Sequence, residues 1–219
     1  MVLTTLEVGT VGLALILVPA LAVAWLLAKR TFRGRTLLQT LVGLPLVLPP
    51  VAVGLALLWL LGRRGPIGGA ARAIFGADLL FTWPAAALAA GVMAFPLLVR
   101  LAQQAFAEVP ERLEHVAASL GSGPWRVFAT VTLPLARRGV IYGIVLSFVR
   151  GLGEFGATSM IAGAIPGRTE TLALGIYGRV QSGEDASAAG LAAISLALAF
   201  GATYVSELYL AAGRRRAGR

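Results

Sequence analysis

Apolar residues run along this chain in long unbroken stretches, and the polar positions cluster between them. Five windows are long enough to carry a helix across hydrocarbon, which takes about 20 apolar residues. They are residues 9–28, 41–62, 79–99, 139–164 and 186–206. A sixth stretch, 169–180, has only 12 residues and includes Arg179, so it reads as a re-entrant or surface helix. Prolines 19, 45, 49, 50 and 96 fall inside the windows. Each frees a backbone carbonyl, which is tolerable only against protein neighbours or a wet cavity. A bundle around a pathway has that pattern, and so do packed kinks. The pattern predicts an all-α polytopic membrane protein with about five transmembrane helices and a short outer-side helix. Residues 1–219 form one domain with no internal repeat.

Composition agrees and charge adds a direction. The chain is 58% hydrophobic and 13% charged, too apolar for a soluble domain of 219 residues. Basic residues collect in three clusters: Lys29, Arg30, Arg33 and Arg35; Arg100, Arg112, Arg126, Arg137 and Arg138; and Arg214, Arg215, Arg216 and Arg219. With five spans all three fall on one side, which short-loop charge bias assigns to the cytoplasm. The N-terminus is then outside and the C-terminus inside. Arg63, Arg64, Arg72, Arg168 and Arg179 lie opposite, partly offset by Asp78, Glu170, Glu184 and Asp185. The first window lacks a basic leader and carries its positive cluster afterwards, so it reads as a retained helix rather than a signal peptide.

Most site chemistry is excluded by residue type. One histidine, His115, and no cysteine leave no His/Cys metal cluster. No P-loop motif is present, so the chain does not bind ATP by that device. No catalytic residue, cofactor or nucleic-acid role is expected. Two polar features remain. Arg150 and Glu154 lie four apart within the fourth window, on one face if the helix is continuous. Unpaired charges at mid-bilayer cost about 2.5–3.5 kcal/mol each, so the two are expected to pair. The pair is either a structural lock or part of a polar pathway.

The second feature is a polar island at residues 111–139. Pro110 suits a first helical position, and Glu111 and Glu114 lie where the helix dipole favours acids. Leu113, Val116, Ala117 and Leu120 form a narrow apolar stripe, and Gly121 is placed to end the helix. A second helical pattern runs from Trp125 to Thr132, with Pro134 as its stop and the fourth span beyond. The first helix is too short to span and its stripe too small to anchor in lipid; it suits a groove on another protein. An interfacial helix on the membrane is the alternative.

These residues resemble the cytoplasmic loop of ATP-binding-cassette importer permeases, E-A-A-x-x-x-G, nine residues, then I-x-L-P. His115, Val116 and Ala117 stand at the E-A-A positions, Gly121 at the glycine, and Val131, Thr132, Leu133 and Pro134 at I-x-L-P. His115 departs from the usual glutamate, with Glu114 immediately before it. The strings "LPLVLPPVAVGLALL", "GRRGPIGG", "FPLLVR" and "LGEFGATSMIAGAIPGRTETLALGIY" resemble the molybdate/tungstate-type permeases, with sulfate/thiosulfate permeases as near relatives.

That resemblance implies a type I importer bundle in a prokaryotic inner membrane. The subunit would be a homodimer carried on two cytoplasmic ATPase subunits and served by an extracytoplasmic oxyanion-binding protein. A coupling loop at 106–137 would engage the ATPases through Glu114, His115, Val116, Ala117, Gly121, Leu133 and Pro134. Pro49, Pro50, Arg150 and Glu154 would line or gate the pathway. Pro166, Gly167, Arg168 and Thr169 would lie at the outer mouth. The cargo would be molybdate or tungstate, with sulfate or thiosulfate as the alternative. An intramembrane enzyme or a non-transporting scaffold is the competing class.

Overall fold

The computed structural model describes residues 1–217 apart from Ala77; the side chains of Phe75 and of 210–217 are outside the description. The basic tail at Arg214, Arg215 and Arg216 is therefore described by its backbone alone, and Arg219 lies outside the described residues. Among the described residues every regular element is helical: α1 (Val2–Lys29), α2 (Arg35–Val47), α3 (Pro50–Leu61), α4 (Pro66–Phe75), α5 (Trp83–Ala107), α6 (Glu111–Ser119), α7 (Pro124–Val127), a π turn (Phe128–Thr132), α8 (Leu133–Leu152), α9 (Gly156–Ile161), α10 (Leu172–Gln181) and α11 (Asp185–Ala217). Four stretches among the described residues are long and apolar enough to cross a membrane: Val2–Lys29, Trp83–Ala107, Pro124–Leu152 and Asp185–Tyr209. A fifth exists if α2 and α3 count as one.

The core is the crossing of α1 and α5. The buried face of α1 runs through Gly12, Ile16, Ala20 and Ala24, one residue per turn and mostly small. Facing it on α5 are Ala87, Gly91, Ala94 and Leu98. Lipid gives apolar helices no hydrophobic reason to associate, so contact area has to come from close backbone approach, which small residues permit. A Cβ at Gly12 would sit 2.5 Å from the Ala87 carbonyl oxygen, and one at Gly91 2.8 Å from that of Gly12. α8 completes the core, with Ala136 and Val140 buried in the same cluster as Ala102, Ala105 and Phe106.

Two of the expected spans differ from the sequence reading. The window 41–62 is not a straight helix: α2 and α3 change direction by 111°. Pro50 and Pro49 each push the preceding residue to extended backbone, and Leu48 (ψ 146°) and Pro49 (ψ 132°) adopt it. Neither the 13 residues of α2 nor the 12 of α3 reach across hydrocarbon alone. The window 139–164 is displaced. Its helix starts at Pro124 and ends at Leu152, so Pro134 does not stop it. The π turn just before Pro134 brings the Leu133 amide to the Phe128 carbonyl, five residues back. The helix thus widens where proline would otherwise crowd the preceding turn.

A short helix is present in the 169–180 stretch as α10, with Leu172, Leu174 and Gly175 buried. The Leu172 amide donates to Thr5 Oγ at 2.8 Å, which places α10 beside the start of α1. The polar island lies at the other end of α1, against Lys29.

Replacing Gly12 by Val should force α1 off α5. The expected loss is about 1–3 kcal/mol, seen as a lower melting temperature in detergent. The same change at Gly190, where an added Cβ meets nothing within 4 Å, should leave melting nearly unchanged.

Candidate functional site

The island is built as a short helix held out from the bundle. Glu111 and Glu114 occupy the first turn of α6, with Pro110 one step before it as N-cap rather than at the first helical position. At the other end, the Gly121 amide donates to Ala118 and the Ser122 amide to Ala117. This paired closure needs a left-handed residue, and Gly121 supplies it at φ +84°. Nine residues are helical and none is buried. Leu113, Val116 and Leu120 are exposed, Leu120 at 82%, and Trp125 on α7 at 83%. His115 lies on the exposed face of α6 with Glu111, Arg112, Val116, Ser119 and Leu120.

Glu114 is the exception to this exposure. One carboxylate oxygen lies 2.9 Å from the Lys29 ammonium, and the other accepts the Thr132 hydroxyl. Lys29 also donates to the Val109 carbonyl at 2.9 Å, where the chain leaves α5. Beside this node, Phe128 makes edge-on contacts with Trp25, Phe106 and Trp125, at centroid separations of 6.1, 5.8 and 6.4 Å. Arg30 lies 5.9 Å over the Trp25 ring. Leu133 and Pro134 open α8 directly after the π turn. The residues of the sequence motif are therefore brought to one end of the bundle. Lys29 was missing from the site residues read in the sequence. It is the chain's one lysine among nineteen basic residues, and that oddity is the signal that could have marked it.

The second site lies around two helix breaks. Arg150 and Glu154 pair as expected, at 2.8 Å, with the Glu154 side chain 2% exposed. They do not share a helix, however: α8 ends at Leu152 and Glu154 stands in the turn beyond. Gly153 and Glu154 end the helix because the carboxylate has a second use. Its other oxygen accepts the Ala157 amide at 2.9 Å, capping α9. Pro50 packs directly on that turn, 2.6 Å from where a Cβ on Gly156 would be. The Pro49–Pro50 corner and the Glu154 turn thus meet. Ser147 and Thr158, both 1% exposed, lie on the flanking helices α8 and α9.

Pro166, Gly167 and Arg168 form an exposed turn, and Thr169 is fully buried beneath it. The amides of Arg168, Thr169 and Glu170 all donate to the Ile165 carbonyl, with Gly167 at φ +72°. The Thr169 hydroxyl donates between the carbonyls of Ala162 and Gly163 and accepts the Ile165 amide. This turn lies at the α10 end of the molecule, opposite the island. Between α4 and α5, Asp78 bridges Arg63 (2.7 Å) and Arg72 (3.1 Å). The hydrogen bond from Arg63 is the largest influence on its carboxyl, which the two guanidiniums hold below the ordinary value of 3.8. No group of three or more His, Asp or Glu close enough to hold a metal occurs among the described residues.

Two outcomes follow from these geometries. Glu154→Ala removes both the Arg150 partner and the α9 cap, whereas Glu154→Gln keeps an acceptor for the Ala157 amide. The alanine variant should be less stable than the glutamine one by about 1 kcal/mol in thermal melts. For Asp78, a lowered folded pKa means the bridge is fully present above the ordinary value and is lost as pH falls through the lowered one. Hydrogen exchange of α4 amides, corrected for intrinsic rate, should stay flat from neutral pH to 3.8 and rise only below it. Asp78→Asn should remove that step.

Comparison with known proteins extends the picture. A family model described as "Binding-protein-dependent transport system inner membrane component" matches residues 20–215. The molybdenum transport system permease protein ModB of Escherichia coli (strain K12) is 46% identical over 219 residues, covering 100% of this chain and 96% of the relative. The sulfate transport system permease protein CysW of Synechococcus elongatus is 36% identical over 170 residues, covering 78% of this chain and 59% of the relative. Among solved structures, the MetNI methionine ABC transporter in inward-facing conformations aligns with a TM-score of 0.69 at 17% identity. That alignment covers 95% of this chain and 90% of the other, and it speaks for the fold.

Proposed function

Because the chain belongs to the family of binding-protein-dependent transport system inner membrane components, we propose that it works as an importer permease whose coupling and pathway residues are those the sequence motif marks. It is a transmembrane permease subunit of an ATP-binding-cassette importer, and its cargo is molybdate or the chemically similar tungstate. The observation that carries the cargo is 46% identity along the whole chain to a molybdenum permease; sulfate permeases are more distant. It is a multi-pass inner-membrane protein that moves a solute and transforms none. Family membership implies an ATPase and a solute-binding protein as partners.

The finer assembly is a homodimer on two cytoplasmic ATPases, with the N-terminus and α10 outside and α6 and the C-terminus inside. What supports this reading is sidedness. Lys29, Arg30, Arg33 and Arg35 follow the α6 end of α1, and the Pro166–Thr169 turn and α10 lie at the opposite end. The 106–137 segment of the single domain is the coupling loop. Its exposed Leu113, Val116 and Leu120 have the spacing of a helix seated in a groove, and His115 borders the same surface. Nucleotide closure of the ATPases moves α6, and the bundle exposes its pathway alternately to the two sides. Pro49, Pro50, Arg150 and Glu154 form the hinge and polar lining of that pathway. The Pro166, Gly167, Arg168 and Thr169 turn frames the outer mouth, where the binding protein delivers the oxyanion.

The test is ATP hydrolysis by the complex reconstituted with its ATPase and binding protein. Molybdate and tungstate should stimulate hydrolysis and sulfate should not. Stimulation by sulfate alone would replace the cargo, and hydrolysis indifferent to all three would sink the transport reading. Gly121→Val, strained at φ +84°, should lower the stimulation by about tenfold, an effect of about 1.4 kcal/mol.

A further inference from the structure

The node at Lys29 does more than hold the island in place. α6 buries none of its nine residues, so apolar packing does not fix its orientation. Its tie to the bundle is polar and passes through Glu114. One carboxylate oxygen takes the Lys29 ammonium at 2.9 Å and the other takes the Thr132 hydroxyl. The same ammonium reaches the Val109 carbonyl at 2.9 Å. One lysine and one carboxylate therefore join the last residue of α1, the exit of α5, the first turn of α6 and the π turn that leads into α8. Of these, α1, α5 and α8 are the helices that pack together in the core.

A lysine at the end of a span ordinarily sends its ammonium out into water. Here the Lys29 side chain is 8% exposed and Glu114 15%, so water competes little for either. Arg30, next in sequence, stacks on Trp25 and supplies an interfacial anchor without Lys29. An ammonium is also suited to this node, since three donors on a point charge can serve a carboxylate and a carbonyl from different directions.

We propose that Lys29 is a positioning residue for coupling: through Glu114 it latches α6 to α1, so that a push on α6 reaches α1 and α8 together. This rests on the transport reading given above. Without the latch, α6 would still meet the ATPase through Leu113, Val116 and Leu120, but its displacement would be absorbed by the loops on either side of it.

The experiment uses the complete complex in lipid nanodiscs, with molybdate as the probe. Lys29→Met should reduce molybdate-stimulated hydrolysis by about fivefold while the ATPase still co-purifies. Thr132→Val, which removes the hydroxyl but not the shape, should reduce it less, and Lys29→Arg should keep most of it. A second measurement does not need transport. The chain has no cysteine, so Thr31→Cys with Ser119→Cys places one pair of spin labels in each permease subunit, and mixing labelled with excess unlabelled subunits isolates the distance within one of them. The inter-label distance distribution should be narrow in the parent and in Lys29→Arg, and broad in Lys29→Met. Unchanged stimulation in Lys29→Met overturns the coupling role, and an unchanged distribution overturns the latch. If the parent complex shows no oxyanion-stimulated hydrolysis, the transport reading is what falls, and the label distances judge the latch separately.

Discussion

A backbone amide in hydrocarbon has no water to bond, so every break in a membrane helix has to be closed by the protein itself. Two such breaks among the described residues lie against each other, at Leu48–Pro49, which is exposed, and at Gly153–Phe155, where Glu154 is buried. Proline solves part of the first, because Pro49 and Pro50 have no amide hydrogens to orphan. Glu154 solves part of the second by accepting the Ala157 amide while Arg150 balances its charge. The two breaks then pack on each other, Pro50 against Gly156. The irregular backbone that a pathway needs is thereby gathered at one place. The rest of the bundle can remain regular helix with small-residue crossings.

Long-range ties account for what the sequence could and could not reveal. Four of the five spans were legible because hydrocarbon thickness is a length requirement that an apolar run either meets or fails. The α6 helix was legible from local rules: acids in its first turn, and a glycine where a left-handed residue was needed. The Arg150–Glu154 contact was legible because two charges in an apolar run have few alternatives to each other. The 111° bend was not, since an apolar window counts residues and ignores that consecutive prolines extend two preceding positions. Nor was the start of α8, because a π turn leaves no periodic mark by which Pro134 could be told from a helix stop. Lys29 and Glu114 are 85 positions apart in the chain, and their meeting depends on the α1–α5 crossing that brings both ends together.

The two ends of the molecule are built on different physical terms. At the α10 end, backbone amides and hydroxyls carry the inner contacts, Thr169 beneath its turn and Thr5 accepting from Leu172, and Arg179 adds ion pairs to Glu170 and Glu184. These bonds are local or between fixed helix ends and give a rigid frame. At the α6 end, an exposed helix is tied by one enclosed ion pair and an aromatic cluster around Phe128. The short helix at one end is seated with part of its face buried, and the one at the other buries none of its residues.

The π turn has one more consequence. A turn wider by one residue rotates everything after it by about 100° relative to an unbroken α-helix. Phe128–Thr132 therefore separates the azimuth of the α7 face, with Trp125 outward, from that of the α8 face within the bundle. The direction in which Trp125 points is thus set by the π turn and not by the packing of the span that follows it.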